Sequence, residues 1–242
     1  MRSRPVTTCN YLPDGEVRAD PHSMFPNSGT ESWLRHPRLA EMLDGEGWLK
    51  ASIGSFLLSK GERIVRVDLG LGPANFELPA AARYRSGALL ESPNQHGIGR
   101  RMVSEVFYTH LHDDHLGWTV FPGADALSFP NARHLVNRRE WLHWSTAGHT
   151  PGHLSLAVES MLGPMLLLGD VVHHEAQLAE PEIAFRVDDD VELALNTGKQ
   201  PLRRAADSGE ILGFGHFSGQ QLGRVHAQRE GFSWAPLDRL PG

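Results

Sequence analysis

The stretch Thr-His-Leu-His-Asp-Asp-His at residues 109–115, with the pattern H-x-H-x-D-H, decides how this sequence is interpreted. In an extended segment, residues i and i+2 point to the same side, so His110 and His112 can hold one metal ion. If the chain then turns, Asp114 and His115 face a neighbouring position. Imidazole and carboxylate are ligands that zinc takes readily, and burying such a cluster without an ion would be costly. The stretch therefore predicts a metal site.

Three shorter motifs follow downstream. Gly-His-Thr-Pro-Gly-His spans residues 148–153, Leu-Leu-Gly-Asp spans 167–170 and Phe-Gly-His spans 214–216. Taken singly each is weak, because a lone histidine at a strand end is more often a surface residue and a lone aspartate is commonly a helix N-cap. Joined to the first cluster, they extend the candidate site along the chain.

These motifs, in this order, resemble those of the metallo-β-lactamase superfamily from about residue 50 to the C-terminus. Val-Asp-Leu-Gly at residues 67–70 is similar to an early family motif whose aspartate has a structural role. More narrowly, the chain resembles the methyl parathion hydrolase-like and quorum-quenching lactonase-like branch. The matching phrases are HLGW at 115–118, FPNARHLVNRREW at 129–141, GDVVHHEAQL at 169–178 and GHFSGQQLGRV at 215–225.

The resemblance implies two divalent metal ions, with Zn²⁺ as the expected species. One metal would be bound by His110, His112 and His149, the second by Asp114, His115 and His216, and Asp170 would bridge both. Asp114 would also orient the hydroxide that attacks the substrate. His153 would steady the turn that carries His149. His173 and His174 are interpreted as polar residues at a strand end, with a substrate contact left open for one of them.

The implied fold is an α/β (α+β) protein, a four-layer αβ/βα metallo-β-lactamase sandwich of two mixed sheets with outer helices. Residues 1–242 are expected to form a single domain, with residues 1–50 as an irregular N-terminal segment packing on it. The implied activity is a dinuclear metallo-hydrolase that uses a metal-bound hydroxide to cleave a lactone, ester or phosphotriester. Trp118, Phe121 and Phe217 are read either as the apolar mouth of a substrate pocket or as ordinary core aromatics.

Hydrophobic patterning predicts the elements along the chain. In chain order we expect a hairpin, a helix over 80–98, two strands followed by a helix, a second hairpin, a long helix and three closing strands. The hairpins are 51–58 with 63–69 and 153–159 with 164–169; the other elements are strands at 103–109 and 132–137, helices at 138–144 and 190–207, and strands at 210–215, 222–227 and 231–236.

The segment between the first and second motifs is short. Only 34 positions separate His115 from His149, whereas the branch usually carries a longer stretch. We expect a fold shortened between residues 116 and 148, in which the missing material was a sheet edge or a lid, since loss of an interior strand would leave buried backbone groups unpaired. The alternative is an impaired or non-catalytic homologue that binds metal without efficient turnover.

Composition and net charge indicate which binding partners and which cellular compartment to expect. A net charge of −6 argues against a nucleic-acid partner and a nuclease. Use of iron in redox chemistry is disfavoured because oxygen-reducing relatives typically carry an acidic residue where His112 stands. Cys9 is the single cysteine, which suits a reducing compartment, and no apolar N-terminal segment reads as a signal peptide. We therefore expect a cytoplasmic protein with a small-molecule substrate and no membrane contact, and we leave a homodimer open.

Overall fold

Two β-sheets pack face to face and bring the ends of several strands to one edge. The computed structural model describes residues 7–28, 33, 37–91, 97–144, 152–188 and 190–237. In the described residues the first sheet has seven strands in the order β4-β5-β1-β2-β3-β6-β7, and the second has five in the order β12-β11-β10-β9-β8. The strands of the first sheet are β1 (Thr8–Ala19), β2 (Leu49–Lys60), β3 (Arg63–Val67), β4 (Asn75–Leu78), β5 (Ala82–Ser86), β6 (Glu105–Phe107) and β7 (Arg133–Leu135).

The second sheet is built from the C-terminal half of the chain. Its strands are β8 (Leu156–Ser160), β9 (Gly163–Leu167), β10 (Ile211–Gly213), β11 (Leu222–Ala227) and β12 (Phe232–Pro236). Both sheets are mixed, since β6 runs parallel to β3 and β7 and β9 runs parallel to β10 while the other pairs are antiparallel. Apolar side chains of the two sheets meet in one buried cluster that includes Phe56, Leu58 and Val67 from the first and Met165 and Leu167 from the second.

Helices lie outside the sheets. They are α1 (Pro21–Met24), α2 (Pro37–Glu41), α3 (Asp113–Leu116), α4 (Arg138–Trp144), α5 (Ala176–Ala179) and α6 (Val191–Ser208). Helix α6 begins where the side chain of Asp190 accepts a hydrogen bond from Leu193 N and ends at Gly209, whose φ is 71°. It packs Leu202 and Ala205 on the second sheet. The predicted sandwich of two mixed sheets with outer helices is confirmed.

Two local predictions were wrong. Residues 8–19 form a long strand paired with β2, although residues 1–50 were expected to be irregular, and a register shift between Pro13 and Gly15 lets the strand accommodate these two residues. The expected helix over 80–98 is instead strand β5 over 82–86, hydrogen-bonded to both β1 and β4, and residues 92–96 lie outside the described residues. Backbone partners on both sides outweigh the weak local preference for helix.

Strand β7 lies within the short segment 116–148 and strand β8 is the next described strand after it; both lie at edges of the described sheets. Strand β7 ends the first sheet and β8 ends the second. The predicted helix at 138–144 is confirmed as α4, and the remaining residues before the turn, 145–151, lie outside the described residues. Among the helices that the structure describes, none is long and apolar enough to cross a membrane.

Candidate metal centre

The first motif lies where strand β6 gives way to helix α3. His112 is the N-cap of α3 and has an extended backbone (φ −70°, ψ 156°), so the chain turns into the helix directly after it. His110 and His112 therefore point to the same side, with His110 Nε2 2.7 Å from His112 Nδ1. Helix α3 then carries Asp114 and His115 to the neighbouring position, as the spacing predicts.

Six of the seven predicted ligand side chains come together in two groups of three. Within each group the nitrogen or carboxylate atoms lie within 4.8 Å of one another. The first group is His110, His112 and Asp170, and the second is Asp114, His115 and His216. His149 lies outside the described residues, so its part in the first group stays a prediction.

Asp170 lies between the two groups. It follows β9 in a short 3-10 turn, Gly169–Val171. One carboxylate oxygen, Oδ2, is 3.4 Å from His110 Nε2, while Oδ1 is 3.2 Å from His115 Nε2 and 3.1 Å from His216 Nε2. A carboxylate that reaches both groups has the geometry that a bridging ligand needs.

A buried aspartate fixes the orientation of His115. Asp68 accepts hydrogen bonds from the amide and the hydroxyl of Thr109, both at 2.8 Å, and its Oδ2 lies 2.9 Å from His115 Nδ1. His115 Nε2 is thereby directed into the second group. Asp68 has a φ of 61°, a conformation that non-glycine residues rarely adopt. The structural role that the sequence resemblance implied for this residue has a physical basis in these contacts.

Strand β2 and a residue of β1 hold His216. The Nδ1 atom of His216 is 2.9 Å from the carbonyl oxygen of Ser52, and the amide of Ser52 donates back to the carbonyl of His216. Tyr11 donates its hydroxyl hydrogen to Gly215 O and lies 2.9 Å from Ser52 Oγ. Sequence reasoning missed Tyr11 because it falls in the segment that was expected to be irregular.

His153 supports the carboxylate that lies between the groups. Its Nε2 accepts a hydrogen bond of 3.0 Å from the amide of Asp170. The resemblance assigned His153 to the turn that carries His149, which lies outside the described residues, so that role stays a prediction. Since Nε2 accepts, the ring is held in the tautomer that carries its hydrogen on Nδ1.

The electrostatics of the second group follow from burial and charge together. Burial by itself lowers the pKa of His115 and of His216, but the neighbouring carboxylates outweigh it; the pKa of His115 rises well above its usual value and that of His216 rises to about 9. For Asp170, burial raises the pKa while His115 and His216 lower it, and the net shift is well below the usual value. The site therefore attracts positive charge, carried by protons when no cation is bound.

The described side chains fit divalent ions. The facing ring nitrogens of His110 and His112 require a proton or a cation between them, and carboxylates and imidazoles are the donors that zinc prefers. A small cavity of about 10 Å³ beside Asp114, His115 and His216 has room for about one water-sized particle. Whether these side chains bind metal stays a prediction.

A cavity of about 490 Å³ opens beside the first group. His110, His112, Asp170 and His173 line one side, and helix α6 lines the other. His173 is buried, stacks on Phe185 with ring centroids 3.6 Å apart, and places Nε2 3.2 Å from Asp170 Oδ2. His173 is thus part of the cavity wall, a role that its position three residues after Asp170 left open.

Other residues considered from the sequence lie elsewhere. His174 is buried with its ring near Phe25 and Trp33. Trp118 is a core residue whose Nε1 donates to Asp14, and Phe217 is fully buried. Phe121 contacts the guanidinium of Arg100 at 4.4 Å, in a surface pocket away from the two groups. The alternative of core aromatics is therefore the correct one for Trp118 and Phe217.

Comparison with known proteins supports the fold. No protein-family model and no curated protein matches the sequence. Among solved structures, AidC, a dizinc quorum-quenching lactonase in complex with a product, has a TM-score of 0.85 at 19% identity, covering 99% of this chain and 97% of AidC. The hydrolase AbOPH of the beta lactamase superfamily has a TM-score of 0.83 at 20% identity and full coverage of both chains. A probable metal-dependent hydrolase from Staphylococcus aureus has a TM-score of 0.78 at 14% identity, covering 99% of this chain and all of its own. The chain has the fold of the metallo-β-lactamase superfamily hydrolases.

Proposed function

We propose that this chain is a metal-dependent hydrolase that cleaves a lactone, ester or phosphotriester bond at a two-metal centre. The observation that carries the proposal is the position of Asp170 between two groups of ligand-type side chains, at the wall of a cavity large enough for a small molecule. In this proposal His110, His112 and His149 hold one ion, Asp114, His115 and His216 hold the second, and Asp170 bridges them. Bound zinc ions would supply an activated water and a Lewis acid for the scissile bond.

The chain's own residues have separate tasks in such a reaction. Asp68, Ser52 and His153 hold His115, His216 and Asp170 in place through the hydrogen bonds described above. Preorganised ligands reduce the rearrangement needed when substrate binds. The Asp114 side chain is 28% exposed, which suits a group that both binds an ion and orients the attacking water.

The cavity favours a substrate with an apolar group. Val172 and Leu202 form buried parts of its wall, and Leu193 of α6 lies at its mouth with 62% of its surface exposed. Lys199 also lines the cavity, but its ammonium group is paired with Glu182. The similarity in fold to AidC, which binds N-hexanoyl-homoserine as product, makes acyl lactones the first compounds to test, beside aryl esters and aryl phosphotriesters.

Asp114→Ala tests the proposal, with Asp113→Ala as the matched control because the neighbouring aspartate is exposed and belongs to neither group. Wild type should bind about two equivalents of Zn²⁺ and turn over at least one of the three substrate classes. Asp114→Ala should lower kcat/KM by roughly 100-fold or more, a loss typical of removing one group that acts on the transition state, and Asp113→Ala should stay within a few-fold of wild type.

Two results would contradict the proposal. One is an Asp114→Ala protein that is metal-loaded and fully active. The other is a wild-type protein that binds two equivalents of zinc and turns over none of the panel, which would favour the impaired homologue.

A further inference from the structure

Glu140 is a fully buried acidic residue that belongs to neither group of candidate ligands. It lies in helix α4, which follows edge strand β7. Long acidic side chains are almost never fully buried unless they have partners. Its partners therefore indicate what the residue does.

The carboxylate of Glu140 reaches the backbone of the first motif. Its Oε1 accepts a hydrogen bond of 3.0 Å from the amide of Leu111, the residue between His110 and His112. Leu111 lies after the end of β6 and before α3, where none of the described strands supplies an acceptor. A side-chain acceptor satisfies this amide and fixes the backbone from which both histidines project.

A second carboxylate holds the same segment two residues earlier. Asp68 accepts from the amide of Thr109, as Glu140 does from Leu111. Asp68 also contacts His115 of the second group, whereas Glu140 holds the backbone of the first group. Two buried carboxylates therefore hold the backbone of this segment, Asp68 at Thr109 and Glu140 at Leu111.

Helix α4 also lies against Gly152, the first described residue after it. A Cβ atom built on Gly152 would lie 2.4 Å from the backbone nitrogen of Glu140, so Gly152 and the helix are in close contact. Gly152 precedes His153, which supports Asp170. Helix α4 thus contacts the first motif through Leu111 and lies against Gly152, the residue before His153.

We propose that Glu140 is a positioning residue for the first metal, acting through the amide of Leu111 to set the separation of His110 and His112. The inference rests on the two-metal centre proposed above. What matters in this role is the reach of the acceptor oxygen rather than the negative charge. Shortening the side chain should therefore be more damaging than neutralising it.

The test compares Glu140→Asp with Glu140→Gln. Aspartate keeps the charge but withdraws the carboxylate by about 1.5 Å, the length of one carbon–carbon bond, which takes a 3.0 Å hydrogen bond beyond its normal range. Glutamine removes the charge but keeps an oxygen at the same reach. Glu105→Asp is the matched control, since Glu105 is a buried glutamate paired with Arg63 and Arg133 rather than with the motif.

The readouts are zinc affinity, measured by competition with a chromophoric chelator, and the visible absorption spectrum of the Co²⁺-substituted protein. Glu140→Asp should weaken the affinity for one of the two equivalents by about 10- to 100-fold, the usual size of an effect on ligand-supporting residues, and should change the Co²⁺ spectrum. Glu140→Gln should stay within about threefold of wild type. Glu105→Asp should leave affinity and spectrum unchanged even if it lowers the melting temperature.

Three results would overturn the inference. Glu140→Asp could bind both equivalents with wild-type affinity and spectrum, or Glu140→Gln could be as impaired as Glu140→Asp, or Glu105→Asp could change the spectrum equally. In each case wild type still binds two ions and the proposed function stands. A wild-type protein that binds no ions would overturn both proposals.

Discussion

Replacing Gly169 by alanine should disturb the candidate centre without touching a candidate ligand. Gly169 precedes Asp170 and has a φ of 58°, in the left-handed region that side chains disfavour. A Cβ atom at this position would lie 2.6 Å from His153 Nε2 and 2.9 Å from Thr109 Cβ. Thr109 is branched and held by Asp68, so the imidazole of His153 is the group that must move. It would then lose its hydrogen bond to the amide of Asp170.

Two effects should lower the free energy of unfolding of Gly169→Ala. The left-handed backbone costs a residue with a side chain roughly 1–2 kcal/mol. Loss of the hydrogen bond between His153 and the buried Asp170 amide adds about 1–3 kcal/mol. The sum, about 2–5 kcal/mol, is below the total stability of a typical domain, so the variant should fold. At about 2–4 °C per kcal/mol for a chain of this size, its melting temperature should fall by roughly 4–20 °C.

Gly209→Ala is the matched control. Gly209 ends helix α6 with a φ of 71°, and a Cβ atom there would meet nothing within 4 Å. Gly209→Ala is destabilised by the left-handed backbone conformation alone and should lower the melting temperature by only about 2–8 °C. Thermal unfolding and zinc affinity, measured on both variants, separate the effect of the left-handed backbone from the effect of the lost hydrogen bond. Gly169→Ala should also lose metal affinity or turnover by roughly 100-fold, because displacements of about 1 Å at a site have effects of this size. If the two variants behaved alike in both measurements, the proposed link from His153 to Asp170 would be wrong.

Two further predictions concern charge. In the metal-free protein, the pKa of His216 is raised to about 9, so protonation stabilises the fold fully below the unfolded value of about 6.5 and this contribution disappears as pH rises through about 9. The melting temperature of the metal-free protein should therefore fall over this window, and zinc affinity should increase because fewer protons must be displaced; a metal-free stability that rises with pH over the same window would contradict the assignment. Arg66 is fully buried beside the ring of Phe129, and within the described residues none of its three guanidinium nitrogens has a hydrogen-bond partner, while burial lowers its pKa to about 10. Arg66→Met should be neutral or stabilising by about 1–4 kcal/mol in thermal or urea unfolding, and a clear loss of stability would reveal an interaction of Arg66 that this reasoning omits.

The first motif could be read from sequence because its geometry is local. The alternation of an extended segment and the turn into α3 place His110 and His112 on one side and Asp114 and His115 on the other, and both features are encoded within seven residues. Asp170 and His216 are separated from this motif by long stretches of chain. No spacing rule predicts that they meet it, so their inclusion depended on resemblance to a family.

The strand formed by residues 8–19 was missed for a physical reason. Pro13, Asp14 and Gly15 together are typical of a turn, yet they lie within β1 at a register shift. The carboxylate of Asp14 accepts hydrogen bonds from the amides of Leu71, Gly72, Gly87 and Leu89 and from the indole of Trp118. These partners lie more than 50 residues away along the chain, so the folded structure gives the aspartate a role that local sequence cannot reveal.

The expected shortening between residues 116 and 148 is compatible with an intact core because of where this segment lies. Strand β7 lies within the segment and β8 follows it. Among the described strands both are edge strands, and they pair with interior strands through three and five residues, respectively. Absence of material beyond an edge leaves the hydrogen bonds inside each sheet unchanged, whereas absence of an interior strand would leave buried backbone groups without partners. A shortened segment is therefore expected to weaken the structural support of the site and to leave the sheets intact. Helix α4 is the last described element of this segment, and through Glu140 it holds the motif that the first metal would need. Because Glu140 acts there as a hydrogen-bond acceptor for the amide of Leu111, the reach of its side chain should matter more than its charge.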